Sequence, residues 1–142
     1  MRRFLCDTNV LVYAVGARHP YREPCRDIVR HQGRGVLAGE VTPIVIAEFA
    51  HQRFRQTRDR REASLRARQA AGAFRVQAVD SDDLDLALDL YARSTALDAF
   101  DALLAATALN RGLDAIVSAD QAFEAVDGIE RIDPADAVPA LT

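Results

Sequence analysis

Apolar and polar positions along this 142-residue chain switch repeatedly between a strand-like and a helix-like period. Arg3 to Cys6 is a short apolar run that predicts a first strand, and Thr8 to Val15, ended by Gly16, predicts a helix. A second helix is expected at about Pro20 to His31, ended by Gly33, then a second strand over Val36 to Ala38. Thr42 followed by Pro43 is a strong helix start, because the hydroxyl can cap free N–H groups and proline lacks one that would be unpaired there. That helix runs to about Gln56, and an arginine-rich helix follows at about Arg60 to Ala73.

Phe74 to Val79 alternates as a third strand. Ser81 opens a helix with apolar Leu84, Leu88 and Tyr91 at helical spacing, and a further helix at about Asp98 to Arg111 stops at Gly112, a C-terminal cap. Ala115 to Val117 and Ile129 to Ile132 complete the strands. Strands alternating with helices over short connections predict one three-layer α/β domain over residues 1–142, built on a mostly parallel sheet of four to five strands. No repeat, linker or low-complexity tract interrupts it.

In open α/β sheets, ligands collect beyond the carboxyl ends of the strands, where the strand order reverses. Two acids stand there: Asp7 directly after the first strand and Asp120 after the fourth. Each could equally cap or turn the chain. Glu48 lies in Pro43-Ile44-Val45-Ile46-Ala47-Glu48-Phe49-Ala50, a segment apolar on almost every side, and projects between the directions of Ile44 and Val45. A helix apolar all round is buried, where a lone carboxylate is costly unless it binds something, escapes to solvent or pairs with an arginine. Asp98 suits a helix cap, and Asp101 is an acid in the first turn whose ionised form the helix dipole would favour.

Carboxylates from four separated segments converging on one crevice would repel one another. Two such charges 4 Å apart cost about 4 kcal/mol at an effective dielectric of 20. A divalent cation relieves this, and all-oxygen ligation suits Mg²⁺ or Mn²⁺. The wide spacing of His19, His31 and His51 and the lack of a paired His/Cys motif argue against zinc. Carboxylate-held Mg²⁺ typically activates water and clamps a phosphodiester for in-line displacement.

Composition narrows the choice by what is missing. All 18 basic residues are arginine, so mechanisms needing a lysine (Schiff bases, the P-loop, phosphoaspartate receivers) are closed. Cys6 and Cys25 make no disulfide framework. The N-terminus forms no signal peptide and no run approaches a membrane span, so a soluble cytoplasmic protein is expected. The net charge of −3 argues at first against a nucleic-acid partner. It is an average: residues 1–75 carry 15 arginines and 7 acids, residues 76–142 carry 3 arginines and 14 acids.

Asp7-Thr8-Asn9-Val10-Leu11-Val12-Tyr13-Ala14 resembles the opening motif of PIN-domain nucleases, specifically the VapC-type toxins of bacterial toxin–antitoxin pairs. Glu48 in Ile46-Ala47-Glu48-Phe49, Asp101 in Asp101-Ala102-Leu103-Leu104-Ala105-Ala106 and Asp120 in Ser118-Ala119-Asp120-Gln121-Ala122-Phe123 match the later motifs in order. The resemblance covers about residues 3–133. It implies strand order 3-2-1-4-5, Mg²⁺-dependent endonucleolytic cleavage of RNA, a homodimer and a cognate VapB-type antitoxin. It also implies Asp7, Asp101 and Asp120 as metal ligands, Glu48 as ligand or water orienter, and Thr8, Asn9 and Ser118 as supporting hydrogen-bonders. Ser118 stands where threonine is commoner, and Asp98 is an acid beyond the motif.

The arginine-rich stretch Arg53 to Arg75 has three readings: a solvated helical face, a phosphate-contacting rim, or an antitoxin interface, with Arg53, Arg55, Arg58, Arg60 and Arg61 the candidates for contact. Tyr13 and Phe49 read as core residues. A nuclease processing RNA or DNA without a toxin role, and an idle binding module that keeps the fold, remain as alternative functions.

Overall fold

The computed structural model describes all 142 residues. A five-stranded sheet, β1 Arg3–Cys6, β2 Ala38–Val41, β3 Arg75–Val76, β4 Ala115–Val117 and β5 Glu130–Ile132, is parallel throughout, in the order β3-β2-β1-β4-β5. The helices are α1 Thr8–Val15, α2 Arg22–Gly33, α3 Pro43–Thr57, α4 Arg60–Ala73, α5 Ser81–Arg93, α6 Ala99–Asn110 and α7 Ala137–Leu141. Helices α1 to α4 pack against one another, α5 pairs with α6, and α6 lies against β1 and β4. This is the expected three-layer architecture.

Its middle is built from complete burial. Phe4, Leu5 and Cys6 of β1 and Ala115, Ile116 and Val117 of β4 are fully shielded, as parallel strands covered on both faces should be. Alanines at 102, 105, 106 and 108 are also fully buried and bring α6 close to the sheet. Since β1 lies between β2 and β4, the strand order reverses there, and the Cys6–Val117 register puts the next residues, Asp7 and Ser118, side by side.

Three local expectations are corrected. The second strand is Ala38–Val41, beyond the Val36–Ala38 expected, and includes Gly39 and Glu40. Gly39 belongs there because an added Cβ would stand 2.7 Å from the Phe4 ring and 2.8 Å from that of Phe74. Glu40 is buried but bound by Arg3 Nε and Gln77 Nε2, each at 2.8 Å. The third strand shrinks to Arg75–Val76, with Phe74 the buried cap of α4. Helix α2 starts two residues after Pro20 and includes Gly33. Helix α5 begins at Ser81 as expected, capped by Asp80 in a reciprocal box with Asp83. Its Leu84, Leu88 and Tyr91 are about half exposed, while Asp83 and Ala87 are its buried residues.

Candidate active site

The crevice at the carboxyl ends of β1 and β4 is assembled from three helix starts and one loop. Asp7 caps α1, with Oδ1 accepting from the Thr8 N–H at 2.8 Å. Its Oδ2 accepts from the Ser118 hydroxyl at 2.7 Å and from Asn9 Nδ2 at 3.2 Å. Ser118, fully buried, also accepts from Asn9 Nδ2 at 3.1 Å and from the Asp120 N–H at 3.0 Å. Thr8, Asn9 and Ser118 therefore surround Asp7 as hydrogen-bonding partners, and the serine supplies the hydroxyl that this arrangement needs.

Asp98 caps α6, accepting from the Asp101 N–H at 2.7 Å, so the capping expectation holds for it. The same bond turns the first helical turn so that Asp98, Phe100 and Asp101 line one cavity of about 110 Å³ with Asp7 and Glu48. Phe100 is 65% exposed and adds an open aromatic ring to the wall beside Asp101. Sequence reasoning missed that ring, since an apolar residue in an apolar helix carries no sign of facing out.

Glu48 and Asp120 arrive differently from their expectations. Helix α3 buries Val45 and Phe49 but leaves Ala47 and Glu48 exposed, so Glu48 is a crevice-wall carboxylate open to water rather than a buried one. It faces Thr8, whose hydroxyl is 3.4 Å from Oε2. Asp120 is exposed at the rim and caps the 3₁₀ turn Gln121–Ala125, accepting from Ala122 N–H at 2.9 Å. It does not line the cavity itself, though its charge is felt by Asp7 and Asp101.

No arginine answers these charges. None of the chain's ion pairs involves Asp7, Glu48, Asp98, Asp101 or Asp120. Burial pushes the Asp101 carboxyl up to about 7, and the charges of Asp98, Asp7 and Asp120 add to it. Burial also raises Asp7, against the bonds from Ser118 and Thr8 and with the help of Asp120 and Asp98. Glu48, open to water on one side, is raised by the partial desolvation of its crevice side and by Asp7, partly offset by the Thr8 hydroxyl. Three carboxyls raised in one crevice mark a place that lacks a positive charge.

The donor set fits a hard divalent cation: it is all oxygen, negatively charged and open to solvent. No three acidic, histidine or cysteine side chains are already closed around a metal position. That openness suits Mg²⁺, which keeps several waters and is bound directly through one or two carboxylates.

The arginines divide. Arg53 is committed: its guanidinium clasps both oxygens of Glu62 at 2.9 to 3.1 Å and reaches the Val15 carbonyl at 3.2 Å, tying α3 to α4 and α1. It is not free to meet a phosphate. Arg58 and Arg60 lie over the Phe54 ring at 5.6 and 4.8 Å from its centroid. Arg55 and Arg61 are exposed without an ion pair. Between α3 and α4 runs a larger groove of about 750 Å³, mostly apolar, with Arg60 and Arg68 on its edge and no acid in its lining. Phe49 is buried as expected, whereas Tyr13 is half-buried and stacks on His19 with ring centroids 4.4 Å apart.

Residues 4–129 match the PIN domain family. The chain is 39% identical over 130 residues to the ribonuclease VapC7 of Mycobacterium tuberculosis, an alignment covering 90% of this chain and 89% of that protein. Among solved structures, a DNA-bound VapBC from Salmonella typhimurium shares the fold with a TM-score of 0.71 at 17% identity, covering 94% of this chain and 99% of that one. VapC20 of Mycobacterium tuberculosis, a toxin that cleaves the sarcin–ricin loop, has a TM-score of 0.65 at 16% identity, covering 80% of this chain and 86% of its own. With the Asp7, Glu48, Asp101 and Asp120 motifs in order and the reversal of strands beneath them, the chain belongs to the PIN-domain family.

Proposed function

We propose that this protein is a metal-dependent endoribonuclease acting as the toxin of a VapBC-type pair. The observation that carries the reading is the crevice of uncompensated carboxylates at the strand reversal, with Asp7, Glu48 and Asp101 all raised above their ordinary range. Family membership and the ribonuclease relative support the same activity. Asp7 and Asp101 would hold Mg²⁺ directly, with Glu48 and Asp120 ligating or orienting water. When bound, such an ion stabilises charge on the scissile phosphate and makes water a better nucleophile at neutral pH.

The chain's own residues carry the rest. Ser118 and Asn9 fix the Asp7 carboxylate through two donated hydrogen bonds, so its lone pairs toward the cavity stay aimed. Thr8 faces Glu48, and the Asp98 cap sets the orientation of the α6 turn that presents Asp101. Exposed Arg55 and Arg61 are candidates to meet the phosphate backbone of single-stranded or loop RNA.

Several of the structural relatives are toxin–antitoxin complexes, and the α3–α4 groove offers an apolar bed with an arginine edge for an antitoxin segment. The half-exposed Leu84, Leu88 and Tyr91 of α5 offer a face for a second copy of the chain. Brief induction followed by mapping of new 5′ ends across total RNA tests the activity, with Asp7→Ala as control. Discrete ends that vanish in the folded Asp7→Ala protein and in excess EDTA support it. Undiminished cleavage in either would sink the mechanism, and harmless overproduction without an antitoxin would count against the toxin role.

A further inference from the structure

Edge strand β5 holds an arginine where solvent is the usual destination. Arg131 is two residues into the strand, paired with Ile116, yet its side chain is only 8% exposed. Its guanidinium is spent on the loop that follows β4. Nε donates to the Ser118 carbonyl at 3.0 Å and Nη2 donates to the Ala119 carbonyl at 3.1 Å. Nη2 also reaches Asp133 Oδ2 at 3.2 Å, and Nη1 reaches Glu124 Oε1 at 3.1 Å.

Asp133 is itself pinned, by the Tyr21 hydroxyl at 2.7 Å and by the Ala135 N–H at 2.9 Å. The same three-residue loop is held on its amide side by Asn9, whose Oδ1 accepts from Ala119 N–H at 3.3 Å, and by the Ser118 hydroxyl that accepts from Asp120 N–H. Strand-end carbonyls must find donors, and only a planar fork of N–H groups can take two adjacent ones and two carboxylates at once. Ser118 bonds Asp7, and Asp120 bears on Asp7 and Asp101 through its charge. Any slack in this loop would therefore reach the crevice.

We propose that Arg131 is a positioning residue: it straps the Ser118–Asp120 loop to β5 and thereby holds the Ser118 hydroxyl and the Asp120 carboxylate in place for a divalent cation. The proposal rests on the reading of the crevice as an ion site. It assigns Arg131 no contact with RNA or with the ion. Neither sequence motif nor charge pattern singled it out, since it stands 11 residues beyond Asp120 on a different strand.

The test uses the full chain with Arg131→Gln and Arg131→Lys, and with Glu124→Gln as control. The control removes only an ion pair whose acid is 61% exposed and leaves both carbonyl bonds intact. Mn²⁺ affinity is read by calorimetry, and hydrogen exchange at the Ala119 and Asp120 amides is read in EDTA. Removing groups that orient metal ligands typically weakens metal binding about 10- to 100-fold. Folded Arg131→Gln is expected to bind Mn²⁺ at least about tenfold more weakly and to exchange both amides faster. Arg131→Lys should fall between it and the natural protein, and Glu124→Gln should match the natural protein in both. If Arg131→Gln does not fold, Arg131→Lys decides, because one ammonium cannot span both carbonyls. Unchanged amide exchange in a folded Arg131 variant overturns the strap whatever the metal does. Unchanged Mn²⁺ affinity with faster exchange overturns its role toward the ion. Natural protein that binds no Mn²⁺ while the variants still exchange faster would overturn the ion reading and leave the strap standing.

Discussion

Replacing Asp101 by asparagine should abolish cleavage and yet raise the melting temperature of the metal-free protein. The carboxyl is pushed from its ordinary 3.8 to about 7, by burial first and then by Asp98, Asp7 and Asp120. Unscreened, a rise of that size is worth about 4 kcal/mol against the ionised form at neutral pH. The side chain is partly open to water, so screening reduces this to roughly 1–2 kcal/mol. Asparagine also forfeits a carboxylate at a helix N-terminus, worth about 0.3–1 kcal/mol. The difference still favours the variant by roughly 1 kcal/mol, or about 3–5 °C for a chain of this size.

The sign with pH follows from the same shift. A carboxyl raised in the folded state holds its proton between about pH 4 and pH 7, where the unfolded chain has lost it. Asp101 therefore adds stability as pH falls from about 8 toward 5, and the variant lacks that part of the slope. Thermal melts of both proteins in EDTA at pH 8 and pH 5 check this. With saturating Mn²⁺ the order reverses, because a ligand at 100 times its Kd adds about 2.7 kcal/mol to the protein that binds it. An Asp101→Asn protein that melts below the natural one in EDTA at pH 8 would refute the reasoning.

Cleavage rate and Mn²⁺ affinity should both fall as pH drops through about 7, since the ion competes with protons for Asp101, Asp7 and Glu48, and a pH series at fixed metal reads it. Ser118→Ala removes the 2.7 Å bond to Asp7 and should weaken Mn²⁺ binding about tenfold in a calorimetric titration, with the fold retained by circular dichroism. Asp83→Ala strips a fully buried carboxylate from Arg111, Asn110 and the Asp80 N–H, and should cost about 3–5 kcal/mol in urea unfolding, at the lower end because Arg111 is partly solvated.

The individual strands were legible because fully buried parallel strands read as short apolar runs with an acid or hydroxyl at the end, whereas their order, and with it the placing of Asp7 beside Ser118, followed only from the resemblance of the motifs. Helix α5 was harder. Leu84, Leu88 and Tyr91 share helical spacing, but so do Asp83, Ala87 and Leu90, and it is the second set that faces inward around the Asp83–Arg111 pair. Periodicity gives a stripe without saying which neighbour covers it. Glu48 is singled out in the sequence for a reason the structure does not bear out: its segment looks apolar all round, yet one side of α3 is open to solvent at Ala47 and Glu48. Arg53 and Arg131 illustrate the same gap. Both are ordinary arginines in sequence, and only tertiary structure shows that one clamps Glu62 and the other a loop.

Whether the carboxylate crevice holds a divalent cation is decided by a crystal grown with Mn²⁺, through the anomalous scattering of the ion. A peak is expected in the crevice within ligand distance of Asp7 and Asp101, directly or through water to Glu48 or Asp120, and it should be lost in Asp7→Asn. A fully occupied Mn²⁺ elsewhere on the molecule with an empty crevice, or no peak at saturating Mn²⁺, would contradict the reading of the crevice as an ion site.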